Sequence, residues 1–240
     1  MDKLNHIINY LQLNITRDDF ESLIYHHLPE LKYYKSDNTM NIFDLNLENN
    51  YKSSIDNNFK KYPNISVSGR INSGKSTISK YLENLGFVSI SFAKPLKDIV
   101  SYLFDLDRKL LEGDTEESRK WREEFLSGTK TTPRKILQIF GTEIMKSINS
   151  NIWLELLGKN LNPNINYVVS DSRFLNEIDY LKSINFITIV VKREGTPKLE
   201  HKSETEHELA KFKYIIENNS TIEDLEKIIN FILELNINNN

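Results

Sequence analysis

Residues 69–76 read Gly-Arg-Ile-Asn-Ser-Gly-Lys-Ser and fill every position of the pattern G-x-x-x-x-G-K-[ST]. The residue types suit one task, the holding of phosphate. Gly69 and Gly74 let the backbone turn so tightly that successive N–H groups, and the N-terminus of a following helix, converge on an anion. Lys75 brings a point charge to terminal phosphates, and the hydroxyl of Ser76 is a ligand for Mg²⁺. Asn72, Ser73 and Thr77 complete the loop residues expected around a bound nucleotide. So short a pattern also describes a Gly/Ser-rich surface turn, and the phosphate reading requires a strand running in and a helix running out.

Both flanks are present. Ile65-Ser66-Val67 alternates apolar and polar after Pro63, while Ile78, Tyr81, Leu82 and Leu85 fall at helical spacing before Gly86 stops the run. From residue 63 onward strand and helix patterns alternate, with strands read at 64–68, 87–91, 167–170, 186–191 and 213–217. That alternation predicts an α/β fold, a five-stranded parallel sheet flanked by helices. Residues 92–166 read as helix and loop throughout, and their charged stretch from Asp105 to Lys130 belongs outside the sheet. Residues 1–62 form a separate zone, a small helical N-terminal extension and connector ahead of a main domain at 63–240. In it Ile7, Ile8 and Leu11 mark one helix, and Thr16 with Asp19 caps a second carrying Phe20, Leu23, Ile24, Leu28 and Leu31. No motif marks a binding module there, so the expectation is an extension packed on the main domain. Residues 36–62 read as an Asn/Ser/Lys-rich connector.

In open parallel sheets ligands bind beyond the carboxyl ends of the strands, which makes the residues just after each strand the candidates. After the second strand, Lys94 stands at the mouth of a helix begun by Pro95 and is a phosphate candidate. After the third comes Asp171, placed to hold Mg²⁺ directly or through water, with Arg173 beside it. The same Asp-x-Arg also reads as a helix cap and a surface ion pair, because Phe174, Ile178 and Leu181 begin a helix at once. After the fourth comes Lys192-Arg193-Glu194-Gly195, from which Arg193 could close over transferring phosphates, or which is simply a charged turn. The segment Pro133–Lys146 carries an apolar face of Ile136, Leu137, Phe140 and Ile144. A second stripe of Arg134, Gln138 and Thr142 has the fork and amide chemistry to read a nucleotide, or is an ordinary solvated face. Trp153, among Leu154, Leu156 and Leu157, is a stacking plate or a core residue. His201, Glu204 and His207 invite a metal reading, against which their charged neighbours suggest a solvated loop. Near the C-terminus, Asn218-Asn219-Ser220-Thr221 leads into a helix capped by Thr221; that turn borders a nucleotide base or serves only as the cap.

Composition trims the function classes. Across 240 residues, 31 Lys and Arg against 34 Asp and Glu leave a net charge of −3, which argues against a broad basic face for nucleic acid or anionic membrane. There is no cysteine, which excludes disulfides, thiolate metal sites and cysteine nucleophiles. No apolar run suits a bilayer span and the polar start is no signal peptide, so the expected location is cytoplasmic. An Asn-Lys-x-Asp element for guanine is missing, Leu126-Ser127-Gly128 does not extend into a transporter signature, and no Glu follows Asp171 as in many motor ATPases.

GRINSGKST, SFAKPLK, RKILQIFGTEI, Trp153, VVSDSRFLNE, VVKREG and the H-x-S-E at His201–Glu204 occur in this order around the phosphate loop. Over residues 64–233 the chain thereby resembles the phage and viral deoxynucleoside monophosphate kinases, and the location implied for a viral protein is the host cytoplasm. The resemblance implies a P-loop kinase fold, ATP as donor with Mg²⁺, and a deoxynucleoside 5′-monophosphate as acceptor, giving a diphosphate and ADP for DNA precursor synthesis. It places Arg134 and Gln138 in the nucleotide-site helix, Asp171 and Arg173 in the post-strand phosphate and metal element, and Arg193 near the lid. Joined with the residue readings above, Lys75, Arg173 and Arg193 are expected at the transferring phosphates, Lys94, Arg134, Gln138, Trp153 and Asp171 at the acceptor, and Ser76 and Asp171 at the metal. The partners it implies are ATP and a dNMP, with a homodimer compatible. The phage relatives begin near the P-loop strand, so residues 1–62 are this chain's departure. Two other readings stay open: a kinase similar to dephospho-coenzyme A kinase, with Asp171 as base for a hydroxyl acceptor, and a nucleotide-binding regulatory protein acting through residues 1–62.

Overall fold

The computed structural model describes residues 2–33, 62–197 and 206–237. In chain order the strands are β1 (Ile65–Ser68), β2 (Val88–Ile90), β3 (Tyr167–Val169), β4 (Ile187–Lys192) and β5 (Tyr214–Glu217). The helices are α1 (Lys3–Leu11), α2 (Arg17–His27), α3 (Lys75–Asn84), α4 (Ala93–Phe104), α5 (Glu116–Trp121) and α6 (Pro133–Gln138). A π-helical turn (Ile139–Ile144) and α7 (Met145–Ile148) continue α6, followed by α8 (Ile152–Lys159), α9 (Leu175–Ser183) and α10 (Ile222–Ile237). The chain divides into two compact units. Met1–Ser53 with Ala93–Leu156 make the helical unit, and Ser54–Phe92 with Leu157–Asn240 make the sheet unit.

In the sheet unit the five strands run in the order β2-β3-β1-β4-β5, and every pairing is parallel. Each lies within two residues of its expected position, as the alternation of strand and helix patterns requires. β1 is buried along its whole length between β3 and β4, and the order of the chain reverses across it. That reversal opens a crevice beyond the carboxyl end of β1, where the glycine loop begins. Ile65 and Val67 share a core with Ile78 and Leu82 of α3 and with Leu225, Ile229 and Ile232 of α10. The alternate residues, Ser66 and Ser68, point to the other face, as the two-residue period of a strand demands. Both are fully buried, and their hydroxyls lie 3.0 and 2.8 Å from the hydroxyl of Ser172, just past β3. Each would cost about 1–3 kcal/mol if buried without a partner, so the trio satisfies itself. Leu85, expected on the apolar face of α3, is exposed, because the helix ends at Asn84 before Gly86 turns at φ +92°.

In the helical unit, α1 forms where the apolar spacing placed it and α2 starts at the expected Thr16 cap, but α2 ends at His27, and Leu31 falls in a separate 3-10 turn begun by Pro29. Thr16 Oγ1 accepts the N–H of Asp19 at 3.1 Å, and Ile7, Leu11, Phe20, Ile24, Leu28 and Leu31 are buried. Phe140 meets Phe20 of α2 and Phe104 of α4 edge to face, each pair with centroids 6.3 Å apart. The N-terminal helices therefore pack on residues 93–156, and the spatial grouping crosses the compositional boundary at residue 62. The charged stretch after Asp105 lies in this unit, outside the sheet, as expected.

The expected helix at Pro133–Lys146 begins at Pro133, where the structure adds Thr132 as its cap, then widens into the π turn. Its apolar face of Ile136, Leu137, Phe140 and Ile144 is buried. Inside the turn, Gly141 approaches α4 so closely that a Cβ would lie 2.7 Å from Leu96 Cδ2. The carbonyl of Gly141 accepts the indole N–H of Trp153 at 2.9 Å. Among the described residues no helix is long and apolar enough to cross a membrane. Residues 36–61 of the connector, together with His201 and Glu204, lie outside the described residues.

Candidate functional site

The loop after β1 is shaped by close backbone approaches. Gly69 has φ +146°, and a Cβ there would stand 2.3 Å from the carbonyl oxygen of Val191. Gly74 has φ +109°, and a Cβ would stand 2.3 Å from Nδ2 of Asn218. No other residue type fits either place. Asn72 takes a left-handed conformation at φ 62°, and the N–H of Ser73 closes a turn on the carbonyl of Arg70 at 3.2 Å. α3 then starts at Lys75 with Gly74 as its cap residue and no capping side chain, so the first-turn N–H groups carry the positive end of a ten-residue helix.

Two further observations suit this cradle to an anion. Ser73 Oγ is buried and has no hydrogen-bond partner among the described residues, a condition that native sites resolve with a ligand or water. Lys75 folds back to donate to the carbonyls of Gly69 at 2.7 Å and Arg70 at 2.6 Å, so its ammonium stays at the loop that a phosphate would enter. Ser76 is exposed beside it and Thr77 half-buried.

Around the cradle, Asp171 follows β3 and ties two strand ends together. Its carboxylate accepts the hydroxyl of Ser91 at 2.7 Å and the N–H of Phe92 at 3.2 Å. A Mg²⁺ ion takes hard oxygen donors and binds through one or two protein groups plus substrate phosphates. The Ser76 hydroxyl and the Asp171 carboxylate are donors of that chemistry. Arg173 is exposed at the head of α9, where Glu177 accepts the N–H groups of Arg173 at 2.8 Å and Phe174 at 3.1 Å. Asp171 therefore does not cap α9; Glu177 performs that task. Arg193 is exposed in the turn after β4, its carbonyl accepting the hydroxyl of Thr196 at 3.0 Å. His207 is buried in the short turn Glu206–Leu209, and no cluster of metal-ligating side chains occurs among the described residues.

The remaining candidates belong to the helical unit. Lys94 is half-buried in the first turn of α4, with Pro95 next to it as expected. Arg134 pairs with Glu123, and its backbone N–H donates to the carbonyl of Arg122 at 3.0 Å. Gln138 and Thr142 are exposed, with the Thr142 hydroxyl donating to the Gln138 carbonyl at 2.6 Å. Trp153 is 7% exposed and its N–H is engaged by Gly141, the setting of a core residue.

Three contacts have no counterpart in the sequence reading. Arg70, a variable position of the loop motif, donates to Glu208 at 2.6 Å and to the carbonyl of Pro197 at 3.5 Å. The hydrogen bond from its guanidinium holds the carboxyl of Glu208 below the usual range. The serine trio under the loop and the Asn218 amide are the other two. Their local signals were the polar residues Ser66 and Ser68 inside a buried strand and the Asn-rich turn at Asn218, neither of which names a partner.

A parallel sheet reversing at β1, with a glycine cradle and an uncapped helix at that reversal, defines a P-loop α/β fold. A family profile for deoxynucleotide monophosphate kinases matches residues 115–229. An Acanthamoeba polyphaga mimivirus protein assigned to the deoxynucleotide monophosphate kinases is 34% identical over 178 residues, 67% of this chain and 90% of that one. The chain belongs to the deoxynucleotide monophosphate kinase family. Among solved structures, the dephospho-CoA kinase of Campylobacter jejuni is 24% identical, covering 71% of this chain and 96% of that one at a TM-score of 0.40. TT1252 of Thermus thermophilus is 17% identical, covering 73% and 98% at 0.42.

Proposed function

We propose that this chain transfers the γ-phosphoryl group of ATP to a deoxynucleoside 5′-monophosphate, giving the diphosphate and ADP for DNA precursor synthesis. Family membership supports the acceptor class. The observation that carries the donor assignment is the loop itself: two glycines that admit no Cβ, a buried Ser73 hydroxyl without a partner, and a helix N-terminus with no capping side chain.

On this reading Gly69, Asn72, Ser73, Gly74, Lys75, Ser76 and Thr77 hold the ATP phosphates. Lys75, Arg173 and Arg193 oppose the negative charge of the transferring group. Ser76 and Asp171 would hold Mg²⁺, which supplies charge neutralisation at the phosphate oxygens. Lys94, Arg134 and Gln138 serve the acceptor as phosphate and base-edge partners. Asp171 keeps the end of β2 in place for the chain that continues to Lys94, and Trp153 supports the acceptor helix through Gly141. The attacking phosphate oxygen is anionic near neutral pH, so the reaction asks for alignment and charge neutralisation before any strong base.

A coupled assay of ADP release over a panel of dNMPs, NMPs and dephospho-coenzyme A tests the assignment. Turnover confined to dNMPs is the expected result. No turnover with any dNMP would sink it, and turnover with dephospho-coenzyme A alone would move Asp171 to the role of base.

A further inference from the structure

The turn between β5 and α10 grips two other loops, and the cap at Thr221 accounts for neither grip. Asn218 is buried at the carboxyl end of β5, its N–H continuing the ladder to the carbonyl of Lys192 at 2.7 Å. Its side-chain Nδ2 donates to the carbonyl of Ser73 in the phosphate loop at 2.8 Å. The next residue, Asn219, uses Oδ1 to accept the N–H of Glu194 at 2.9 Å, in the turn that carries Arg193.

Each grip fixes a peptide plane. In a trans peptide the C=O of one residue and the N–H of the next point in opposite directions within one plane. Anchoring the Ser73 carbonyl on Asn218 therefore turns the Gly74 N–H away from Asn218. Gly74 can accept this only as glycine, since its Cβ would occupy the place of the Asn218 amide. The plane joining Arg193 to Glu194 is held at both ends, its carbonyl by Thr196 at 3.0 Å and its N–H by Asn219. The backbone direction from which the Arg193 side chain departs is set accordingly.

We propose that Asn218 and Asn219 are positioning residues with separable duties, Asn218 orienting a phosphate-loop N–H for the donor nucleotide and Asn219 orienting Arg193 for the transfer step. The assignment rests on the donor site described above. It requires a donor at position 218 and an acceptor at 219, so the same substitution has opposite consequences at the two positions. Aspartate at 218 sets a carboxylate oxygen against the Ser73 carbonyl, whereas aspartate at 219 retains an acceptor for Glu194.

The test uses the full chain with Asn218→Ala, Asn218→Asp, Asn219→Ala and Asn219→Asp, followed by calorimetric ATP titration, steady-state kinetics and amide hydrogen exchange. Both Asn218 variants should weaken ATP binding about tenfold or more, the scale of one lost hydrogen bond to a charged group, with the acceptor KM within about twofold. Asn219→Ala should lower kcat about tenfold at unchanged ATP affinity, and Asn219→Asp should recover most of that loss. Equal effects of aspartate at both positions, or loss of thermal stability with affinity and kcat unchanged, would overturn the proposal. Hydrogen exchange separates its failure from that of the donor assignment. If the wild-type chain does not bind ATP, the donor assignment falls by itself. Faster exchange in residues 69–77 of Asn218→Ala and in 193–197 of Asn219→Ala then upholds the two grips, and unchanged exchange overturns them.

Discussion

The candidate donor site and the candidate acceptor residues are built from different material. In the sheet unit the cradle is main chain: two glycines without room for a Cβ, a turn closed on Arg70, and the N-terminus of α3. In the helical unit the candidates are side chains on helices, with Arg134 paired to Glu123 and Gln138 exposed. A main-chain site tolerates few residue types and leaves a spelled motif. A side-chain site needs only chemistry at a reachable point, which many spacings provide and no short pattern marks.

That contrast is open to test. The largest effect is expected from Lys75→Ala, which should lower phosphoryl transfer by about 10²–10³-fold with the fold retained, measured by ADP release alongside circular dichroism. Near-normal turnover would remove the donor cradle from the reaction. Phe20→Ala should cost about 3 kcal/mol in denaturant unfolding, because a fully buried ring loses its edge-to-face contact with Phe140. A cost below about 0.5 kcal/mol would mean that the N-terminal helices are not part of the helical unit's core. Arg134→Ala should raise the dNMP KM about tenfold while the ATP KM holds within about twofold. A matching rise in both would dissolve the division of labour between the two units.

Smaller effects refine the helical side. Trp153→Phe keeps the ring and removes the bond to Gly141, so stability should drop by about 1 kcal/mol with substrate constants nearly unchanged. A large rise in dNMP KM with normal stability would instead make Trp153 a contact for the acceptor. Glu112 gives the least. Burial would raise its carboxyl, but Lys97 at 2.6 Å and Arg108 at 2.5 Å outweigh it and hold the group below the usual range. Its contribution is therefore complete above the unfolded value of about 4.3 and lost as pH falls through the lower folded value. Glu112→Gln should flatten that acid limb of the stability curve, and an unaltered limb would place the acid sensitivity elsewhere.

Legibility in the sequence followed the range of the interactions. The cap at Thr16, the alternation of strands with helices and the glycine loop all rest on residues a few positions apart, and each was found where expected. Trp153 was ambiguous by type and became a core residue once its partner was seen. The grip of Asn218 on Ser73 spans 145 positions and that of Arg70 on Glu208 spans 138, distances at which no local periodicity operates. The π turn escaped for a related reason. Phe140 and Ile144, buried in the π turn, also stand at a spacing that an α-helical face uses, so the apolar pattern does not distinguish the two.

By itself the sequence determined a parallel α/β sheet with a phosphate loop, because glycine freedom, helix capping and strand branching act through bonds close along the chain. Tertiary structure decided which unit the N-terminal helices join, what holds the loop in shape and which two loops the Asn218-Asn219 turn holds. Those outcomes depend on hydrogen bonds and ring contacts between segments far apart in sequence, whose geometry exists only once the sheet has ordered its strands.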